Sequence, residues 1–440
     1  MSMGSAVPVL AQSKWSRLGA LCLLYFCQGL PIGLFQVAIP AWFAAQGLSL
    51  AQVASFIFIV FLPWSFKLLA GPVMDRFAFP TMGRRRPWVI LAQLGIVVTF
   101  IVVAILSPDP SESYMLLAAL GFVANAFGAF QDVAVDGMAI DLLEEDERAQ
   151  ANAYMFGGQI VGTSVAGAVG SAALASYGLT VSALIMAFTV FLIMLVPICL
   201  REREGERFLP WTHGQASPEA LAGVNESWKD ILVSLFRAIV LPMSLLLILL
   251  EGFQRMASGM LVSIGPVMTV QDLGWAQTDW SNYYATAGIV ASVVAVVLGP
   301  LIDRMGSLRV LAVAIAFRFV LFGAFATFTA YWQHTEWVQG MVLLAYISGQ
   351  IVTVSIIALF MRLCLRRVSA TQFAVYMASA NLTYSMGSGA VAPLGMLMGY
   401  QGMFYVMAGL HVAFLVLLPF MNFERHQRDN EALEASLAQP

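Results

Sequence analysis

The stretch GPVMDRFAFPTMGRRR, from Gly71 to Arg86, returns in shorter form as GPLIDRMGSLR, from Gly299 to Arg309. Both copies contain Gly-Pro-x-x-Asp-Arg, then a second glycine and basic residues, and both follow a long apolar run. A chance pair of basic loops is the alternative. The matched positions favour an internal repeat, in which the chain consists of two parallel halves.

The composition around these two loops is that of a membrane protein. Sixty per cent of the 440 residues are hydrophobic and 11% are charged, whereas soluble domains carry about 25% charged residues. The mean hydropathy is +0.82. Because one core cannot bury this much apolar surface, lipid must act as solvent, and each spanning helix needs roughly 20 apolar residues.

The order of apolar runs gives the predicted architecture. The runs are 17–44, 50–73, 88–107, 114–140, 150–177, 180–200, 238–268, 277–302, 308–331, 336–364, 370–399 and 402–421. They predict an all-α membrane protein of twelve transmembrane helices in two six-helix, pseudo-symmetric halves. The predicted divisions are an N-terminal half (1–200), a cytoplasmic linker (201–237), a C-terminal half (238–421) and a disordered cytoplasmic tail (422–440).

Basic residues predict the orientation. Apart from Lys67, Arg255 and Arg318, which lie inside apolar runs, every Lys and Arg falls on one side when loops are assigned alternately. The other side carries acidic residues and no Lys or Arg. Since cytoplasmic loops are enriched in Lys and Arg, both termini and the linker are predicted to be cytoplasmic.

Charged residues inside the predicted fourth helix are the first candidate site. The stretch AFQDVAVDGMAID, from Ala129 to Asp141, places Asp132 and Asp136 one helical turn apart. A carboxylate inside the membrane costs about 2.5–3.5 kcal/mol and needs a partner. Lys67 lies at a matching height on the second helix and is predicted to contact one of them. The pair is either a structural brace or a charge switch for proton coupling and gating.

The predicted seventh helix holds a second charged pair. In LLLILLEGFQRMASGM, Glu251 and Arg255 are spaced i and i+4, so they can pair along one helix face. Arg255 suits a carboxylate or phosphate group, and Glu251 could carry a proton. An inert, self-neutralised pair is the alternative. Arg318, on the predicted ninth helix, is interpreted as structural.

Polar side chains in other apolar runs complete a candidate substrate site, with hydrogen bonding between helices as the alternative. The candidates, in addition to Arg255, are Gln28, Gln36, Asn125, Gln131, Gln159, Gln254, Gln350, Asn381 and Tyr384. Glycines are frequent on the predicted fifth and eleventh helices. We interpret them as sites of close helix packing.

Four stretches together carry a family resemblance: SFKLLAGPVMDR, GRRRPW, QDVAVDGMAIDLLEEDER and SATQFA. They resemble the major facilitator superfamily, and within it the AmpG-type muropeptide permeases and the related acetyl-CoA transporters. Met138 and Ala139 stand where those permeases tend to have Trp and Lys, and Glu251 and Arg255 stand where they usually have Lys and Asp.

The resemblance implies a function as well as a fold. It implies a proton-coupled importer of cell-wall muropeptides (GlcNAc-anhydroMurNAc peptides) in the bacterial inner membrane, working by alternating access. The alternatives are a transporter of another anionic solute, siderophore-like or CoA-like, and an assembly factor of the same shape without transport. The expected partners are a small-molecule substrate and the lipid bilayer, not nucleic acid, and the expected state is a monomer.

The resemblance also gives the repeated loops a role, which is to hold the cytoplasmic side together. Their candidate residues are Gly71, Asp75, Arg76, Gly83, Arg84, Arg85, Arg86, Gly299, Asp303 and Arg304. The basic residues are expected to bridge to Asp141 or to the stretch from Glu144 to Glu147. We find no phosphate-binding loop, metal-ligand cluster or nucleophile with a base, so the sequence predicts neither an enzyme nor a cofactor, and the proton gradient is the expected energy source.

Overall fold

The computed structural model describes residues 9–77, 79–144, 147–217, 228–365 and 369–437, and this part of the chain is nearly all helical. The α-helices are α1 (Lys14–Gly33), α2 (Ile39–Ala45), α3 (Leu50–Phe61), α4 (Ala70–Arg76), α5 (Arg86–Leu106), α6 (Pro110–Leu142), α7 (Arg148–Cys199), α8 (Trp228–Ile239), α9 (Pro242–Val267), α10 (Gln277–Met305), α11 (Ser307–Thr327), α12 (Thr335–Leu363), α13 (Ser369–Leu397), α14 (Tyr400–Leu417) and α15 (Phe423–Leu437).

Ten helices in the described ranges are long and apolar enough to cross a membrane. One of them, Gln150–Cys199, is 50 residues long and contains Gly178, whose φ of 80° interrupts the helix. Helix α13 has 29 residues but is not among the ten. The chain is therefore a multi-pass helical membrane protein, while the count of twelve spans and the cytoplasmic termini remain predictions.

The chain divides into two compact units. Unit 1 comprises Met1–Gln46, Ile59–Val224 and Ala276–Ala285, and unit 2 comprises Gly47–Phe58, Asn225–Trp275 and Thr286–Pro440. The beginning of α3 therefore packs with unit 2, where the backbone carbonyl of Ala54 accepts a hydrogen bond from Ser388. The beginning of α10 packs with unit 1, where the side-chain hydroxyl of Ser171 donates to the carbonyl of Gln277.

Each unit contains one helix pair held together at glycines, as the sequence predicts for the fifth and eleventh helices. In unit 1, a Cβ at Gly162 of α7 would lie 2.1 Å from the carbonyl oxygen of Phe26 on α1. In unit 2, a Cβ at Gly387 of α13 would lie 2.1 Å from the carbonyl oxygen of Met256 on α9. The backbones touch at these points, so no larger residue fits without moving a helix.

One helix of each pair, α1 in unit 1 and α9 in unit 2, contains a proline and is followed by a π-helical turn. Leu34–Ala38 is π-helical and follows Pro31 in α1, and Met268–Asp272 is π-helical and follows Pro266 in α9. Such turns widen a helix locally and are frequent at functional sites. The recurrence of the proline and the π-helical turn agrees with the internal repeat.

Two elements differ from the sequence prediction. The predicted run 50–73 is not one α-helix, because α3 ends at Phe61 and is followed by 3-10 turns at Leu62–Ser65 and Lys67–Leu69. Pro63, which has no N–H to donate, lies at this break. The tail predicted to be disordered forms α15, whose first turn is capped by the Asn422 side chain accepting from Arg425 N at 2.9 Å.

Candidate functional site

The charged groups of unit 1 meet as the sequence predicts. Lys67 Nζ lies 2.7 Å from Asp132 Oδ2, and the two side chains are 14% and 6% exposed. The predicted contact of Lys67 with one of the two aspartates is therefore confirmed. Asp136, one turn further along α6, accepts a hydrogen bond from the hydroxyl of Tyr25 on α1. Tyr25 was not predicted, since a tyrosine in an apolar run gives no signal of its own.

The break at Pro63 places these groups by turning the chain before Lys67. Trp64, on the 3-10 turn, donates its indole N–H to Asn125 Oδ1 at 3.0 Å. The Asn125 amide nitrogen donates in turn to the carbonyl of Gly121 at 2.9 Å. These hydrogen bonds attach the 3-10 turn to α6. Asn125, which the sequence predicts to bind substrate, therefore has the contacts of a residue that holds two helices together.

Buried amides in unit 1 have unused hydrogen-bonding capacity. Gln159 on α7 donates to Gln28 Oε1 at 3.1 Å, and Gln131 donates to the carbonyl of Leu24 at 2.9 Å. Within the described ranges, Gln28 Nε2, Gln36 Nε2 and Gln131 Oε1 are buried without a hydrogen-bond partner. Gln93, on α5, is fully buried, and neither its amide nitrogen nor its amide oxygen has a hydrogen-bond partner among the described residues. Atoms of this kind need water or a ligand.

The predicted pair in unit 2 is loose. Arg255 Nε lies 3.9 Å from Glu251 Oε1, and its guanidinium donates to the carbonyl of Ala380 at 3.4 Å and to Asn381 Oδ1 at 3.3 Å. The Tyr384 ring lies beneath it, 4.9 Å from the guanidinium carbon. Because these contacts are long, a ligand anion could replace them at small cost.

The other predicted polar residues of unit 2 differ in their burial and hydrogen bonding. In the described part of the chain, Gln254 Oε1 and Glu251 Oε2 are buried without a hydrogen-bond partner. Gln350, on α12, is half-buried. The structure therefore brings Glu251, Gln254, Arg255, Asn381 and Tyr384 onto the α9–α13 pair. Within the described ranges, no hydrogen bond or ion pair joins Gln350 to them.

Arg318 has the contacts of a structural residue. Its Nε donates to His411 Nε2 at 2.9 Å, one Nη donates to the carbonyl of Ala345 at 2.6 Å, and the other reaches Ser258 Oγ at 3.3 Å. His411 has its Nδ1 2.6 Å from the carbonyl of Met407. The guanidinium is thus engaged on all sides, in contrast to that of Arg255.

The backbone of the loop between α4 and α5 is bound by a carboxylate, that of Glu202, which the sequence analysis did not predict. Glu202 is fully buried and accepts from the backbone N–H groups of Arg84 and Arg85 at 3.0 Å each and of Arg86 at 2.5 Å. A Cβ at Gly83 would lie 2.7 Å from the Glu202 carboxyl carbon, and Gly83 has φ +94°. This explains the second glycine of the loop. The dense charge of the stretch from Arg201 to Arg207 was the available signal.

The bridge from this loop to Asp141, one of the two predicted alternatives, is confirmed, while Glu145 and Asp146 of the other alternative lie outside the described residues. Arg85 Nε lies 3.7 Å from Asp141 Oδ2. Glu147 pairs instead with Arg17 of α1, at 2.7 Å, and this hydrogen bond lowers the pKa of Glu147. The side chains of Asp75, Arg76 and Asp303 lie outside the described part of the structure; Gly71 and Gly299 lie in helices α4 and α10, and Arg304 is exposed on α10.

A second buried carboxyl lies beside Glu202. Glu206 is 1% exposed and accepts from the backbone N–H of Arg203 at 3.0 Å. Burial raises the pKa of Glu206 to about 7, and burial also raises the pKa of Glu202. Among the described residues, no group of three His, Cys, Asp or Glu side chains is arranged to hold a metal ion.

Comparison with known proteins gives a family and several relatives. The sequence model of the Major Facilitator Superfamily matches residues 21–388. The chain is 27% identical over 373 residues to the anhydromuropeptide permease of Escherichia coli K12, covering 82% of this chain and 70% of the permease. It is 22% identical over 422 residues to the candidate transporter AmpG 4 of Rickettsia felis, covering 92% and 96%.

A solved structure agrees in fold. The crystal structure of a D-xylose-proton symporter superposes with a TM-score of 0.68, at 11% sequence identity, covering 92% of this chain and 97% of the symporter. At this identity the likeness speaks for the fold alone.

Proposed function

The chain belongs to the Major Facilitator Superfamily and is a multi-pass membrane transporter, and from this premise we propose that it imports cell-wall muropeptides together with protons. The proposed route is alternating access across the bacterial inner membrane. No cofactor is needed, because a proton gradient supplies the driving force. The proposed form is a monomer with twelve spans in two halves.

One observation carries the proton coupling: Lys67, Asp132 and Asp136 lie together inside the membrane-spanning helices of unit 1. Ionisable groups at such depth are costly and mark ion or substrate pathways by default. A purely structural brace would need one cation and one anion, whereas this cluster has a second carboxylate. Glu251 is the proposed counterpart in unit 2.

The proposed substrate class rests on similarity and on chemistry. The permease of Escherichia coli is named for anhydromuropeptides, which carry sugar hydroxyls, amides and carboxylates. The unused amide atoms of Gln28, Gln36, Gln131 and Gln254 suit the hydroxyls and amides. Arg255, whose hydrogen bonds to described residues are long, suits a carboxylate.

Arg255 also favours one alternative. A guanidinium binds any carboxylate or phosphate in a bidentate way, so a siderophore-like or CoA-like anion would use Arg255 equally well. An assembly factor without transport has less support. Its interior could be filled with apolar side chains, whereas here buried polar atoms remain without partners in the described ranges.

The test is uptake of radiolabelled GlcNAc-anhydroMurNAc-tripeptide into proteoliposomes with an imposed pH gradient, acid outside. We expect accumulation that a protonophore abolishes and that Arg255→Gln reduces. The exposed Arg428→Gln serves as the matched control, since Arg428 lies on the surface of α15 and has no place in the candidate site. A competition series with free CoA and a ferric siderophore is run in parallel.

The outcomes separate the candidates. Accumulation of the muropeptide with no effect of CoA or siderophore supports the proposal. Transport of CoA or siderophore without the muropeptide assigns the alternative anion. No transport of any of the three, by protein that remains folded in the same vesicles, refutes transport of these solutes and favours the assembly factor.

A further inference from the structure

We propose that the two aspartates of unit 1 have different tasks: Asp136 carries the coupled proton, Tyr25 positions it, and Asp132 remains in a fixed ion pair with Lys67. This inference rests on the proposed proton-coupled transport and goes beyond it, because it assigns the proton to one carboxyl and adds a residue from another helix.

Charge balance is the first step of the argument. Lys67 contributes one positive charge to the cluster, and Asp132 lies 2.7 Å from it, which neutralises that charge. Among the described residues, Asp136 then forms no ion pair of its own. Arg85, a further cation near this part of α6, has its side chain beside Gly137 and pairs with Asp141. An unpaired carboxylate inside a membrane protein is costly, and a bound proton removes its charge.

Access to water is the second step. Asp132 is buried, with 4% exposure, whereas Asp136 is half-buried. A group that exchanges protons during each transport cycle must reach water, and a group that braces two helices need not. The two exposures therefore assign the exchanging role to Asp136.

The contact with Tyr25 is the third step. Tyr25 is 4% exposed and its hydroxyl donates to Asp136 Oδ1. Tyr25 belongs to α1, which is packed against α7 at Gly29 and Gly162. When Asp136 gains or loses a proton, the strength of this hydrogen bond changes. The protonation state of Asp136 on α6 therefore affects how firmly α6 is held to the α1–α7 pair. Tyr25 is a positioning residue, since it acts through Asp136.

The transport test compares two modes. Counterflow exchanges labelled for unlabelled muropeptide without net proton release, and accumulation driven by a pH gradient requires release. Asp136→Asn, a neutral mimic of the protonated state, is expected to retain counterflow and to lose accumulation completely. Tyr25→Phe is expected to retain counterflow and to lower accumulation about two- to tenfold, the factor for one hydrogen bond. Tyr154→Phe, on the exposed side of α7, is the control.

A substrate-free test separates this inference from the proposed function. The infrared C=O stretching bands of protonated carboxyls are followed through a pH titration in a Glu251→Gln background, which removes the charged carboxyl of α9. Each variant is read as a difference spectrum against this parent, since the buried Glu202 and Glu206, whose pKa values burial raises, also give such bands. We expect that one band is lost in Asp136→Asn, is displaced in Tyr25→Phe and is unchanged in Asp141→Asn. This result stands even if the muropeptide is not the substrate.

Three results would overturn the inference. One is accumulation by Asp136→Asn at the wild-type level. Another is a set of carboxyl bands that is the same in the parent protein and in Asp136→Asn. Loss of both counterflow and accumulation in Asp136→Asn, with the protein folded, would also contradict it, because the neutral side chain should be tolerated in the exchange mode.

Discussion

Replacing Asp132 with Asn tests the ion pair at the centre of unit 1. At the observed separation of 2.7 Å between Lys67 Nζ and Asp132 Oδ2, the gross attraction is about 6 kcal/mol for an effective dielectric constant near 20. Most of it is offset by desolvation, and the loss of one partner from a buried pair costs about 3–5 kcal/mol. Because Lys67 is 14% exposed, we expect the lower limit, about 3 kcal/mol.

The assay is a double-mutant cycle on the free energy of unfolding in bicelles. Asp132→Asn and Lys67→Met are measured singly and together, and we expect a coupling energy of about 2–3 kcal/mol. The control cycle uses Arg85 and Asp141, whose atoms lie farther apart, at 3.7 Å, and whose carboxylate is more exposed, 21% against 6% for Asp132, so that this pair should couple by less than about 1 kcal/mol. A coupling below about 0.5 kcal/mol for Lys67 and Asp132 would refute the pair.

Three further predictions concern the close helix pair, the buried carboxyl and the structural guanidinium. Gly162→Ala places a methyl group against the Phe26 backbone and should lower the free energy of unfolding by about 1–3 kcal/mol. Gly157→Ala, with nothing within 4 Å, should have no such cost; equal losses for both would contradict the contact. Burial raises the pKa of Glu206 to about 7. The segment from Arg201 to Arg207 should therefore be most stably folded below the ordinary glutamate pKa of 4.5 and should become less stable as the pH rises to about 7. Between pH 6 and 8, the free energy of opening of this segment, measured by hydrogen exchange, should fall by about 1 kcal/mol. Glu206→Gln should abolish this pH dependence, and the same pH dependence in Glu206→Gln would refute the role of Glu206. Arg318→Lys should lower the free energy of unfolding by about 2–3 kcal/mol, because it leaves buried partners unsatisfied, and thermal unfolding measures this loss. Arg428→Lys, at the surface of α15, should be neutral. A neutral Arg318→Lys would show that the hydrogen bonds of Arg318 contribute nothing.

The sequence predicts the charged parts of the site well, because an ionisable residue in an apolar run must find a partner. This argument found the contact of Lys67 with Asp132 and the pairing of Glu251 with Arg255. The same argument cannot find Tyr25, because tyrosine is tolerated in membrane helices without a charged partner. It also cannot separate Asn125, whose amide is engaged, from Gln28, which retains an unused donor.

The remaining differences have local causes. Hydropathy gives the length of an apolar run and not the continuity of its helix, so the break at Pro63 was missed although proline is its source. Glu202 lies in a charged stretch that was predicted to be linker, and only the folded chain brings its carboxylate to the backbone of Arg84 to Arg86. The tail is too polar for a membrane span, yet its helix α15 is held in part by His426, 3.0 Å from the carbonyl of Leu363.

The most direct test of the central claim is proton movement caused by the substrate itself. Purified protein in lightly buffered proteoliposomes, without an imposed gradient, is given GlcNAc-anhydroMurNAc-tripeptide on the outside while the external pH is recorded. Coupled import predicts that the external medium becomes alkaline as the muropeptide enters, and that a protonophore abolishes this change. Entry of the muropeptide with no change of external pH would contradict proton coupling.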